Sequence, residues 1–238
     1  MFTFIVAVYI IMLLIITLPV LLICQIIRKN NRALSNKIAS VVAQIWAKGS
    51  LFFGGVRVEV IGVENVPKEP VLFVGNHRSL YDIPAFYAKA PKHAGFIAKL
   101  EMRKIPIMST WMKNMECLFL DRENIREGLK TILEGIEYIK NGGSLFICPE
   151  GTRNHKEQTG EFKEGSLKLA QKSGCPVIPV AFIGTDDRFE NRKFGVTPGK
   201  CKIVFGEPIY LDQLEPEYKK MAGQYVRNEI QKLIEEYK

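Results

Sequence analysis

The sequence has 238 residues, 47% of them apolar and 24% charged, which are globular proportions and exclude a disordered, collagenous or coiled-coil chain. All 33 basic and 25 acidic residues fall after the first 27, so the whole net charge of +8 belongs to a body of 211 residues. The five cysteines, Cys24, Cys117, Cys148, Cys175 and Cys201, are widely spaced and lack a C-x-x-C pair, which argues against a zinc ribbon or disulfide framework and for reduced, mostly buried thiols.

From Met1 to Ile27 the chain has no Asp, Glu, Lys, Arg or His. As a helix, this run would reach about 39 Å at about 1.5 Å per residue, more than the roughly 30 Å hydrocarbon core of a bilayer. Its charges follow the apolar stretch and no A-x-A pattern closes it, so residues 1–27 read as a retained membrane anchor rather than a cleaved signal. Pro19 is expected to kink it, because proline removes a backbone donor and crowds the preceding turn.

Between Arg28 and Val58 the basic residues Arg28, Lys29, Arg32, Lys37, Lys48 and Arg57 precede the first acid, Glu59. If the first helix spans, that asymmetry puts the body on the cytoplasmic side of the cell membrane. A hairpin returning into the same leaflet, a two-helix membrane motif, would remove the argument. Residues 28–55 read as a basic amphipathic helix: Leu34, Ile38, Val41, Val42, Ile45, Trp46, Phe52 and Phe53 form a broad apolar face opposite Lys37, Gln44 and Lys48. Such a helix suits the headgroup layer, and the alternative is a helix that caps the globular core. The clustering of basic residues beside the apolar segment, rather than on an aromatic-interleaved face, speaks against nucleic acid as a partner.

Residues 56–238 alternate short apolar runs with helical patterns. Strands are expected at Val56–Ile61, Val71–Gly75, Gly95–Ala98, Cys117–Leu120, Ser144–Cys148, Val177–Phe182 and Lys202–Phe205. Several are apolar without alternation, as in strands buried on both faces. After Asp121, residues Ile125, Leu129, Ile132, Leu133, Ile136 and Ile139 recur at helical spacing up to Asn141-Gly142-Gly143. Further helices are expected over Ile83–Lys89, Ile107–Asn114, Lys163–Ser173 and Tyr218–Tyr237. The succession predicts an α/β fold, a largely parallel or mixed sheet flanked by helices, with Gly184–Lys200 as its longest surface loop.

Four short segments carry candidate chemistry. Asn76-His77-Arg78-Ser79-Leu80-Tyr81-Asp82 follows the apolar run VLFVG, which delivers a histidine to a strand's carboxyl end, where open α/β sheets bind ligands. Imidazole suits proton transfer near neutrality. On a regular helix Asp82 would lie about 140° round from His77, so a pair between them requires a turn. In that turn the carboxylate would fix the tautomer that leaves the other ring nitrogen free. The alternative is that Asp82 caps the helix with Pro84 in its first turn. Pro149-Glu150-Gly151-Thr152-Arg153-Asn154 follows SLFIC; Gly151 permits close backbone approach and Arg153 offers a fork of donors suited to a phosphate. Asp121-Arg122 follows CLFL, with Arg122 a second phosphate donor or a helix-start charge. Val177-Ile178-Pro179-Val180-Ala181 reads as core strand. No histidine sits in a metal-ligand pattern, so no metal site is expected.

With these four segments in this order, the chain resembles the glycerolipid acyltransferase family. NHRSLYD is similar to the family's first motif, H-x-x-x-x-D; LFLDR, PEGTRN and VIPVA are similar to its second, third and fourth. The resemblance covers about residues 56–210, and one departure from it is Cys148, where the family usually has an aromatic residue. It implies a fold of the glycerol-3-phosphate acyltransferase type and transfer of an acyl group from a thioester to the 2-hydroxyl of lysophosphatidic acid, with His77 as general base and Asp82 holding it. Lys99, Arg122 and Arg153 would bind the phosphate, with Glu150, Gly151 and Thr152 shaping that pocket; Lys99 enters by resemblance only. Acyl-CoA or acyl-acyl carrier protein would be the co-substrate, with no further cofactor, and membrane lipid the other partner. Backbone amides at the strand ends would stabilise the oxyanion. The competing readings are an acyltransferase for glycerol 3-phosphate or another lysolipid, a thioesterase, and a catalytically silent membrane-anchored binding protein.

Overall fold

The computed structural model describes the chain apart from residues 155, 157, 193 and 194, and apart from the side chain of residue 164. Among the described residues, seven strands form one sheet: β1 (Val56–Ile61), β2 (Leu72–Gly75), β3 (Gly95–Lys99), β4 (Leu118–Leu120), β5 (Leu145–Ile147), β6 (Val177–Ile183) and β7 (Gly199–Phe205), in the order β1-β7-β6-β2-β5-β3-β4. Among the described residues β6 and β7 pair antiparallel and the other neighbours pair parallel. All seven expected strands are present, so the reading of a parallel or mixed sheet holds. Because β2 to β6 run the same way, their carboxyl ends share one edge, and all three polar motifs leave from it.

Alternate residues of the non-alternating apolar runs feed two cores. Phe73, Phe146, Phe182 and Phe205 point to one face with Phe86 and Phe96, under the helices α2 (Leu18–Asn30), α3 (Arg32–Phe53), α4 (Asp82–Lys89) and α5 (Met108–Asn114). Leu72, Val74, Leu145 and Ile147 point to the other, under α6 (Ile125–Lys140), α7 (Lys168–Ser173) and, after the short α8 (Pro216–Lys220), α9 (Ala222–Tyr237). The rings of Phe86 and Phe146 lie 4.6 Å apart and those of Phe96 and Phe146 4.5 Å apart. Each such pair adds about 0.5–1.5 kcal/mol to the burial of its rings. This cluster supports β2 and β5, whose ends carry the first and third motifs.

The expected single anchor helix is instead two helices. Helix α1 (Phe2–Ile16) ends at Thr17 and α2 follows at a 50° bend, with Pro19 at the start of α2. Proline lacks the amide that would have bonded to Ile15 across the junction, and Thr17 Oγ1 donates to Leu13 O at 2.7 Å. No single described helix is long and apolar enough to cross a membrane; α1 and α2 together have the length and apolar composition of a span, but the pair is bent. Helix α1 leaves Phe4, Ile11, Met12, Ile15 and Ile16 exposed and touches α3 through Tyr9, whose hydroxyl donates to Ile45 O at 2.7 Å.

Helix α3 combines the two alternatives open for residues 28–55. A stripe of small residues, Ser35, Ala39, Ala43, Ala47 and Ser50, is buried where α3 packs on α2 and α4, and small side chains are what let the helices approach. Leu34, Val41, Ile45 and Phe52 face outward. Two of the expected surface cations are otherwise engaged: Arg28 and Arg32 both grip the buried carboxylate of Glu116, with Arg28 Nη1 at 2.9 Å and Arg32 Nε at 2.8 Å. Helix α6 departs from its expected pattern similarly. Ile132, Ile136 and Ile139 face the core, but Ile125, Leu129 and Leu133 are exposed.

Candidate active site

The turn that an H-x-x-x-x-D pair requires is present. Residues between β2 and α4 are not helical, and His77 Nδ1 lies 2.9 Å from Asp82 Oδ2. The amides of Arg78 and Ser79 also donate to Asp82 Oδ2, each at 2.8 Å, so the carboxylate faces back into the loop and does not cap its own helix. Asp82 is fully buried, and its second oxygen has no hydrogen-bond partner among the described residues. The Asp82 oxygen accepts from Nδ1–H, which fixes the tautomer that leaves the Nε2 lone pair free. Nε2 has no partner among the described residues, and the His77 side chain is 21% exposed.

The surroundings fix that loop from every side. Asn76, at the end of β2, exchanges hydrogen bonds with the backbone of Phe182 at 3.0 and 2.8 Å, which ties the loop to β6. Glu150 Oε1 accepts from the His77 amide at 2.8 Å, and its Oε2 accepts from Gly160 at 2.8 Å. Arg78 reaches Asp186 Oδ2 through Nη2 at 2.6 Å. Leu80 N donates to Glu190 Oε1 at 2.9 Å and Tyr81 N to Ser79 Oγ at 3.0 Å. The amides of residues 77 to 81 therefore all have protein acceptors, and an oxyanion must find its donors outside this loop.

The expected phosphate residues divide into two groups. Lys99 and Arg122 line one cavity of about 200 Å3 together with Lys104, Glu101 and Asp121. Lys99 Nζ lies 2.9 Å from Glu101, both of them exposed. Arg122 also donates through Nη1 to Gly151 O. Gly151 has φ +76°, a conformation that favours glycine, and a Cβ there would lie 3.1 Å from Lys163 Cε. Arg153 turns instead to the buried Glu190, with Nη1 at 2.8 Å from Oε1, and is not an unpaired donor. Glu150 holds the His77 and Gly160 amides, and Thr152 is exposed. A larger cavity of about 380 Å3, between Pro179 of β6, the segment 206–214 that follows β7, and α9, is lined by none of these residues.

Sequence reasoning missed Asp186, Glu190 and Lys163. The segment expected to be the longest surface loop contains two short 3-10 turns, Asp186–Arg188 and Glu190–Arg192, and buries Thr185, Asp186 and Glu190 against the His77 loop. Its residues 193 and 194 lie outside the described residues. An acid run in a polar segment reads as solvated until a partner such as Arg78 is seen to face it. Burial alone would raise the Asp186 carboxyl, but the Arg78 hydrogen bonds and charge outweigh it and hold it below the usual range. Cys148, beside Asn76 O at 3.8 Å, is pushed well above the usual thiol range by burial and then by Asp82 and Glu150, which makes it a poor nucleophile.

Comparison with known proteins supplies the family. The model of the acyltransferase family matches residues 57–183, which span all four motifs. The "Probable 1-acyl-sn-glycerol-3-phosphate acyltransferase" of Mycoplasma pneumoniae is 37% identical over 60% of this chain and 55% of that protein. The chloroplastic 1-acyl-sn-glycerol-3-phosphate acyltransferase BAT2 of Brassica napus is 30% identical over 73% of this chain and 51% of that protein. The chain thus spans about half the length of these curated relatives. The crystal structure of the 1-acyl-sn-glycerophosphate (LPA) acyltransferase of Thermotoga maritima superposes with a TM-score of 0.82, at 30% identity, over 99% of this chain and 92% of that one. With a family match over more than half its length and the paired histidine and aspartate at the sheet's carboxyl edge, this chain belongs to the acyltransferase family.

Proposed function

We propose that the protein transfers a fatty acyl group from an acyl thioester to the sn-2 hydroxyl of lysophosphatidic acid, giving phosphatidic acid for phospholipid biosynthesis. The observation that carries the reading is the His77–Asp82 pair, 2.9 Å apart, with Nε2 unpartnered among the described residues. The names of the relatives supply the acceptor. His77 Nε2 takes the proton of the 2-hydroxyl as that oxygen bonds to the thioester carbonyl carbon. Asp82 stabilises the imidazolium, the carbon–sulfur bond breaks, and the proton goes to the departing thiolate. The alcohol is itself the nucleophile, so no acyl-enzyme forms.

Lys99, Arg122 and Arg153 hold the phosphate in this reading, with Gly151 giving it close approach to the backbone and Thr152 at the rim; Glu150 shapes the pocket from beneath by holding the His77 amide. Residues 1–27 and the outward face of 28–55 bring the body, residues 56–238, to a lipid surface on the cytoplasmic side of the membrane, where acceptor and product both reside. The test is to incubate the purified protein with lysophosphatidic acid or glycerol 3-phosphate and with each donor, acyl-CoA and acyl-acyl carrier protein, and to identify lipids by mass spectrometry. Phosphatidic acid from lysophosphatidic acid is expected. Product from glycerol 3-phosphate alone, or free fatty acid alone, would replace this reading with one of its competitors.

A further inference from the structure

Glu190 joins two parts of the site through one atom. Its side chain is 2% exposed, and its Oε1 accepts both from the Leu80 amide at 2.9 Å and from Arg153 Nη1 at 2.8 Å. Leu80 lies between His77 and Asp82 in the chain, and Arg153 belongs to the third motif. The other oxygen, Oε2, is buried without a hydrogen-bond partner among the described residues. A buried carboxylate with one oxygen unsatisfied is a poor device for stability, because its desolvation is only partly offset.

We infer that Glu190 is a positioning residue, fixing the loop that carries the general base at a set distance from the cation that meets the acceptor's phosphate. The inference rests on the acyltransferase reading above. Asp82 gathers the amides of Arg78 and Ser79 and the His77 ring into one unit, but those bonds are internal to the loop and do not say where it sits. Glu150, Asp186 and Glu190 anchor it from outside, and of the three only Glu190 also holds Arg153 among the described residues. An arginine side chain has many rotamers to lose on binding, and Glu190 orders it before the substrate arrives.

The test compares Glu190→Ala with Glu190→Gln, whose amide oxygen still accepts from both donors but without the charge. The Ala variant is expected to lose about 10- to 100-fold in kcat, the scale of reacting groups displaced by about 1 Å. The Gln variant is expected to keep at least about half of wild-type kcat. Amide hydrogen exchange over residues 76–82, which needs no substrate, should quicken in the Ala variant and stay as in wild type for Gln. An Ala variant with more than half of wild-type kcat and unchanged exchange would overturn the inference, and so would a Gln variant as impaired as Ala. If wild type makes no phosphatidic acid with either donor, the acyltransferase reading falls and exchange alone decides whether Glu190 anchors the loop. Should Glu190→Ala not fold, Glu190→Asp keeps the charge but shortens the reach; it is expected to lose about tenfold in kcat, and wild-type kcat there would sink the idea.

Discussion

In the loop from His77 to Asp82, five successive amides have protein acceptors and the carboxylate at its end is fully buried. Lys99, Arg122 and Lys163 at the other end of the candidate site stand exposed, and Lys99 pairs with a carboxylate that is itself exposed. In the proposed reaction the difference follows from what each end would have to do. A proton is transferred over a distance that tolerates little error, so the base must be held before the substrate arrives. A phosphate is recognised by charge, over a longer range and with flexible side chains, and a solvated cation does that at little cost in folding.

The sharpest way to break the comparison is His77→Ala. Turnover should fall by about 100- to 10,000-fold, the worth of a positioned base, with the fold intact because the ring adds little to the core. A variant with more than about a tenth of wild-type turnover would take His77 out of the mechanism. Asp82→Asn comes next: the ring remains but its orientation and the loop's amides lose their charged acceptor, for about 10- to 100-fold in kcat and about 1–3 kcal/mol of stability by thermal unfolding. Near-normal activity there would mean that geometry alone, without the charge, suffices.

At the other end the parameter changes from kcat to KM. Lys99→Ala or Arg153→Ala is expected to raise the apparent KM for lysophosphatidic acid about tenfold with kcat little changed, because the phosphate is held alike in ground and transition states. Equal weakening toward an acceptor without a phosphate would remove these residues from that role.

Glu116 extends the contrast to the N-terminal helices, where a buried carboxylate fastens α2 and α3 to the turn before β4. Burial alone would raise its carboxyl, but hydrogen bonds from Arg32 and Arg28 outweigh it and hold it below the usual range. A carboxylate depressed in the folded state contributes stability above its unfolded value and loses it as pH falls through the folded one. Acid unfolding of wild type should therefore steepen below the ordinary carboxylate range, and Glu116→Gln should flatten that dependence while costing about 1–3 kcal/mol at neutral pH. Parallel acid-unfolding curves for the two proteins would show that the clamp contributes nothing measurable.

The smallest effect concerns the membrane surface. A chain lacking residues 1–27 should bind anionic vesicles weakly and be released by salt, whereas the whole chain should resist the same wash, since exposed charges are screened within about 8 Å at physiological ionic strength. With Arg28 and Arg32 drawn to Glu116, the salt-sensitive part falls mainly to Lys29, Lys37 and Lys48. A truncated chain that ignores anionic vesicles at low salt would assign α3 wholly to the core.

The seven strands were legible because strands buried on both faces must be continuously apolar, and local composition records that directly. The His77–Asp82 pair was legible for the same reason: both residues belong to one turn, and its spacing limits where they can go. What sequence did not show is what depends on partners far along the chain. Arg153, read as a free phosphate donor, is held by Glu190, 37 residues away, and Arg28 by Glu116, 88 residues away. The stripe of Ser35, Ala39, Ala43 and Ala47 has no hydrophobic signal and became the buried face of α3 only because α2 and α4 lie against it. An apolar run reports its own burial, whereas a charge or a small residue takes its role from whatever the tertiary fold sets opposite it. That is why the sequence by itself determined the sheet and the His77–Asp82 pair, and the packing of the β6–β7 connection and the N-terminal helices decided how both are held.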